Sequence, residues 1–241
     1  MRILPDFLVF VFILFCACDV NKHNQAELVQ ENVLSDSNSV TLEFSLFVNQ
    51  NEYELTNYGE APQIAIWLEN KDSNQVRTVW VSHRAGKNDW KGKVECPVAL
   101  PYWNSRHHFE KSGFRERNFI TRVIDAITGA TPTGGKFTQE IIVPKNSCWD
   151  YFIEINVSGD YNVAFPYWSK DGMPDSEGNG QPSIVYKGKI IADGHSSSLP
   201  ELIGRTDQRH PVDKLITDLT GLTTAKNLLS EISVVSKFFY K

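Results

Sequence analysis

Two apolar runs separated by a short polar break constrain this chain more than any other feature. Gln63 to Glu69 and Gln75 to Val81 are rich in β-branched and aromatic residues and flank Asn70-Lys71-Asp72-Ser73-Asn74. A turn of that composition between two such runs predicts a β-hairpin. The same texture recurs along the chain. Val40 to Val48 alternates apolar and polar residues before becoming continuously apolar, as a strand does. Further strands are expected over Phe137 to Val143, Trp149 to Val157, Tyr161 to Trp168 and Ser183 to Ile191, with strand character again at Leu199 to Arg205 and Asn227 to Phe239. Asn57 to Pro62 and Ser158-Gly159-Asp160 read as turns, and Thr217 to Leu229 has room for one helical turn or two. Only the stretch around 89–119 resists a strand reading. Its Trp90, Leu100, Trp103 and Phe109 suit an irregular or partly helical connection. Many short strands, turn residues between them and few helical periods predict an all-β chain, an immunoglobulin-like β-sandwich.

The N-terminus has a different texture. Phe7 to Ala17 is an unbroken apolar run, too short for a membrane span of about 20 residues but suited to the core of a secretory signal. Phe15-Cys16-Ala17-Cys18 resembles the lipobox of bacterial lipoproteins, in which the cysteine is lipidated after cleavage. Cleavage at an ordinary signal-peptide site nearby is the other reading. Asp19 to about Ser39 is polar and lacks aromatics, the composition of a flexible tether. The expected organisation is a signal peptide over 1–17, a tether over 18–39 and one sandwich domain over 40–241, anchored to the cell envelope through lipid on Cys18.

Composition narrows the partners. The net charge of −5 lacks the basic excess that a nucleic-acid surface needs, so nucleic acid is not an expected partner. Cleavage before Cys18 leaves Cys96 and Cys148 as a pair in an oxidising compartment, so a disulfide between them is one expectation and two buried thiols the other.

One stretch carries chemistry. Asp125-Ala126-Ile127-Thr128-Gly129-Ala130-Thr131 sets two small residues between two threonines and is followed by Pro132-Thr133-Gly134-Gly135. Small neighbours leave the Thr131 hydroxyl open to close approach by another protein, and Asp125 adds a fixed charge nearby. The same residues also suit a hairpin turn leading into Lys136-Phe137-Thr138.

Two resemblances bear on this stretch. Ala61-Pro62-Gln63-Ile64-Ala65-Ile66-Trp67, Val76-Arg77-Thr78-Val79, a segment around Trp103 and Asp125 to Pro132 resemble the domain-of-unknown-function 2271 family of predicted periplasmic proteins, over roughly Val40 to Trp168. The longer part after about Pro166 departs from that pattern. Separately, Asp125, Thr128, Gly129, Ala130 and Thr131 are similar to the motif of covalently flavinylated proteins. There, a Mg²⁺-dependent flavin transferase moves FMN from FAD onto the last threonine. The resemblance implies covalent FMN on Thr131, with Asp125, Thr128, Gly129 and Ala130 completing the attachment motif. The expected partners are the flavin transferase, a membrane redox protein and the membrane surface. The implied role is a redox carrier in cell-envelope electron transfer rather than a stand-alone enzyme. A cofactor-free β-sandwich binding lipoprotein is the alternative.

Other constellations weigh less. Arg77, Trp80, His83, Arg84, Trp90 and Trp103 have the chemistry to cover or tune a flavin ring, but strand tryptophans usually serve the core. His107, His108 and Glu110 suggest an exposed loop rather than a metal site. Asp171, Asp175, Glu177 and Asn179 offer oxygen ligands without the order that a calcium loop requires. Neither a Gly-x-Ser-x-Gly elbow nor an HExxH pair is present.

Overall fold

The computed structural model describes residues 38–87, 96, 99–107, 127–176, 178–210 and 214–238. The expected signal segment, Cys18, nearly all of the tether, Trp90, Phe109 and Asp125 lie outside these residues.

The described strands build two sheets. The first has the order β5 (Gly135–Pro144), β1 (Ser39–Val48), β10 (Leu229–Phe238), β8 (Ser197–Ser198). The second runs β4 (Ile127–Gly129), β3 (Gln75–Ser82), β2 (Gln63–Asn70), β6 (Cys148–Asn156), β7 (Ile184–Ile191), β9 (Glu201–Arg205). Neighbours pair antiparallel, apart from β4, which lies parallel to β3. The fold is therefore an all-β sandwich, and the β2–β3 hairpin turns where the Asn70–Asn74 break predicts.

The pattern of each strand follows from what covers it. In β1, Val40, Leu42, Phe44, Leu46 and Val48 are fully buried between the sheets, while Glu43, Ser45 and Phe47 turn outward, so β1 alternates. In β2, Ile64, Ile66 and Leu68 join that same core, but Ala65 and Trp67 are equally buried on the opposite face. A second apolar layer made by Cys96, Ala99, Leu100, Tyr102 and Trp103 covers that outer face, to which Phe152 of β6 and Val185 of β7 also contribute. A strand buried on both faces reads as a continuous apolar run. Edge-to-face contacts join the sheets, Phe44 on Tyr151 at 5.8 Å between ring centroids and Trp80 on Phe137 at 4.8 Å.

Short helices close the connections: α1 (Gln50–Glu54) after β1, α2 (His83–Lys87) after β3, and α3 (Pro101–His107) in the stretch where a partly helical connection is expected. A 3-10 turn at Thr224–Asn227 falls where a helical turn is anticipated.

One expected strand does not form. Tyr161 to Trp168 is a folded loop with a lone bridge between Trp168 and Pro174. The Asn162 side-chain oxygen accepts the amides of Ala164 and Phe165 at 2.9 and 2.8 Å, closing a local turn that competes with a ladder. Pro166 then lacks a donor to offer a neighbouring strand.

The register gives the sandwich two ends. Gly129, Ser82, Ile64, Ile155 and Ile184 lie near one end of the second sheet, and Val48, Gly135 and Leu229 terminate the same end of the first. Ser39, paired with Pro144, begins β1 at the opposite end, beside the turn that brings the Asn146 amide to Ala192 O at 2.7 Å.

Phe44 has no exposed surface and packs on Tyr151 across the sheets, so Phe44→Ala should cost about 3–5 kcal/mol in denaturant unfolding. A loss below about 1 kcal/mol would contradict this account of the core.

Candidate functional site

The putting-together of the motif is set by topology rather than by a hairpin. Ile127, Thr128 and Gly129 pair with Trp80, Val81 and Ser82 as the parallel edge strand β4, and Ala130 to Gly134 then cross to the other sheet, where Gly135 opens β5. The hairpin-turn reading of Gly-Ala-Thr-Pro-Thr-Gly-Gly is thus corrected: two strands of different sheets are joined, because β4 pairs with β3 in the second sheet and β5 with β1 in the first. Gly129 is required by its neighbour. A Cβ there would lie 2.9 Å from Trp80 Nε1, closer than a side chain tolerates. Thr128 packs its methyl toward Gly86 of α2, where a Cβ would come within 3.1 Å.

Ala130 is exposed and Thr131 half-buried. The Thr131 hydroxyl makes no hydrogen bond to another described residue. The crossing segment is nonetheless fixed. Tyr53 OH of α1 donates to the Thr133 carbonyl, and the Gln50 side chain fills the space beside Gly134, where a Cβ would lie 2.9 Å from Gln50 Oε1. Gly134 and Gly135 adopt φ of 155° and 76°, the second in the left-handed region that glycine alone enters readily. The loop that carries Thr131 is therefore held in place from α1.

Other contacts join distant parts of the chain. Arg84 Nη1 of α2 donates to Glu60 Oε2 at 2.8 Å, with both side chains largely buried. Asn57 N donates to Gly159 O at 3.2 Å, and Tyr58 packs against Gly159. Beyond it, the connection from β6 to β7 is tied down by Arg209 to the Pro166 and Tyr167 carbonyls at 3.0 and 3.2 Å and by Gln208 to Pro166 O at 3.0 Å. That scaffold holds Tyr167 and Trp168 outward, their rings edge to face at 5.1 Å.

The other singled-out side chains are spent on structure. Arg77 Nη1 donates to Ile142 O at 3.0 Å, and Trp103 Nε1 to Thr78 Oγ1 at 3.1 Å on the outer face of the second sheet. Trp80 is a core residue beneath Gly129. His83 is exposed at the start of α2. Asp175 Oδ2 accepts from Gly180 N at 2.9 Å and Gln208 Nε2 at 3.2 Å, while Asn179 Nδ2 donates to Gln208 O. These bonds hold the loop, and no metal-ligating cluster occurs among the described residues. His107 ends α3, and His108, Glu110 and Glu177 lie outside the described residues.

The disulfide expectation is also corrected. Cys96 and Cys148 are not bridged to each other. Cys148 opens β6, whereas Cys96 Sγ donates at 3.2 Å to Asn179, whose neighbour Gly180 bridges Asp160 just past the far end of that strand. The nine residues of β6 span about 26 Å, and a disulfide needs Cα atoms within about 7 Å.

A feature without a local sequence signal is Glu154. It is fully buried on the outer face of the second sheet, and it accepts from Tyr102 N at 3.2 Å, Trp103 N at 2.6 Å and Ser183 Oγ at 2.6 Å. It docks the first turn of α3 on the sheet. Burial outweighs these bonds and raises its pKa from 4.5 to about 7. Asp160 is likewise raised by burial, from 3.8 to about 6. An acid with a raised folded pKa binds more protons folded than unfolded, so stability falls as pH rises between its two values. For Glu154 that window runs from about 4.5 to about 7, and the loss is on the order of 3 kcal/mol. Urea unfolding across this range should show the decline, and Glu154→Gln should flatten it between pH 6 and 7, leaving the part due to Asp160 below. Identical pH profiles for the two proteins would refute it.

Residues 47–150 match the model of a family described as predicted periplasmic protein, domain of unknown function 2271. The match runs from the end of β1 to the start of β6 and takes in Thr128 to Thr131, a narrower span than the resemblance suggests. No curated protein and no solved structure matches the chain. Residues 47–150 thus carry the sequence pattern of the domain-of-unknown-function 2271 family, whose description as a predicted periplasmic protein supports an extracytoplasmic location for this chain.

Proposed function

We propose that this chain is an extracytoplasmic flavoprotein that carries FMN on Thr131 and serves electron transfer at the cell envelope, lipid-anchored through Cys18. The observation that carries the reading is the seat of Thr131: a half-buried residue with its hydroxyl free of described partners, beside exposed Ala130 and an obligatory Gly129. In the attachment step a flavin transferase supplies FAD. The Thr131 oxygen forms a bond to the FMN phosphorus, the pyrophosphate bond of FAD breaks, AMP leaves, and the hydroxyl proton passes to a base of the transferase. No redox change is involved. Tyr53 and Gln50 hold the loop from behind, so the modifying enzyme meets a fixed backbone, and Trp80 keeps position 129 free of side chain. Bound FMN supplies the capacity to take up and release electrons. A membrane redox protein is the expected partner.

A second reading, a cofactor-free binding lipoprotein, draws support from the rigid loop that holds Tyr167 and Trp168 outward. Co-expression of the secreted chain with a flavin transferase separates the two. The first reading expects flavin fluorescence on a denaturing gel, a mass gain of FMN less one water on the Asp125 to Lys136 peptide, and loss of both in Thr131→Val. A wild-type chain without added mass, or a Thr131→Val chain that keeps it, overturns the first reading. The chain without added mass would leave the second standing.

A further inference from the structure

We propose that Tyr58 is the aromatic face against which a flavin carried on Thr131 packs. This rests on the reading above and names the part of the chain that meets the ring.

Two observations point to Tyr58. The first is placement. Gly129, Ser82, Ile64 and Ile155 stand in one row at the end of the second sheet. Three inter-strand steps separate the motif strand from β6, about 14 Å. Thr131 lies two residues beyond Gly129, and Gly159, which Tyr58 covers, lies four residues beyond Ile155. Both run on past the same end. The helix α1 also ties them together, since Tyr53 bonds the Thr133 carbonyl and Tyr58 follows five residues later.

The second observation is that Tyr58 is fixed on one side and open on the other. Gly159 has φ of 74°, and a Cβ there would stand 2.4 Å from the Tyr58 ring. The ring therefore lies directly on glycine backbone, and the Asn57 to Gly159 hydrogen bond holds its stem. The side chain is still 37% exposed. An aromatic ring seated this firmly has little rotamer freedom left to lose when a flat ligand stacks on it.

Tyr58 thus offers the apolar face that the ring needs. Tethering makes the encounter intramolecular, so one half-exposed ring is enough where a free ligand would require a deeper pocket. Tyr167 and Trp168, on the loop clamped by Gln208 and Arg209 after β9, continue the same aromatic surface, since Tyr161 borders Tyr58 and packs edge to face on Tyr167 at 5.4 Å between ring centroids.

The test uses the full secreted chain loaded by co-expression with the flavin transferase. Attachment is read by mass and by fluorescence after denaturation. Contact is read by comparing flavin emission of the native chain with that of the same chain unfolded in urea. The wild type should be quenched when native. Tyr58→Leu, which keeps bulk but removes the electron-rich ring, should emit close to the unfolded level, and Tyr58→Trp should stay quenched. All three should carry the same added mass. Equal native quenching in wild type and Tyr58→Leu, or no quenching in the wild type, overturns the proposal while flavin attachment stands. Quenching in Tyr58→Leu that vanishes on dilution would instead assign the contact to a second copy of the chain, and also overturns it. A wild-type chain without flavin removes this proposal together with the reading it rests on.

Discussion

The indole of Trp80 is the contact on which the arrangement of this protein turns. On one side it meets Phe137 of the other sheet edge to face, and on the other its ring nitrogen lies against Gly129. The first contact fixes the spacing of the two sheets at the edge where β3 faces β5. The second allows β4 to add beside β3 only when its last residue has no side chain. A single buried aromatic thereby binds the geometry of the core to the geometry of the motif. Close-packed interiors do not deform gradually, so the seat of Thr131 is as rigid as the sandwich beneath it.

Much of the fold could be read from residue order because the environment of each strand is written in its period. β1 faces water on one side and alternates; β2 is covered on both sides and does not. The hairpin was legible for the same reason, with a polar break between two apolar runs. What escaped was decided at a distance. The three residues of β4 are too few to show a period, and their parallel pairing joins positions almost fifty residues apart. Tyr161 to Trp168 has strand composition, yet the carboxamide of Asn162 captures the backbone first. The cysteines offered a plausible pair by elimination, and only the length of β6 shows that they sit at its two ends.

The site divides along the same line. Its central residues, Thr128 to Thr131, announce themselves through small size and spacing. Their supports do not. Tyr53 and Gln50 carry no motif, and they reach the motif loop because β1 ends where that loop crosses between the sheets. Glu154 is a related case. A glutamate in an apolar strand reads as a solvent-facing exception, whereas here it is sealed under α3 and holds that helix by two backbone amides.

The course of β1 has a mechanical corollary. Its ten residues lead from Ser39 at the far end to Val48 at the end that bears the motif loop, a length of about 33 Å. A pull applied at Ser39 would therefore be taken up in shear along the ladders that β1 makes with β5 and β10 before it reached the loop.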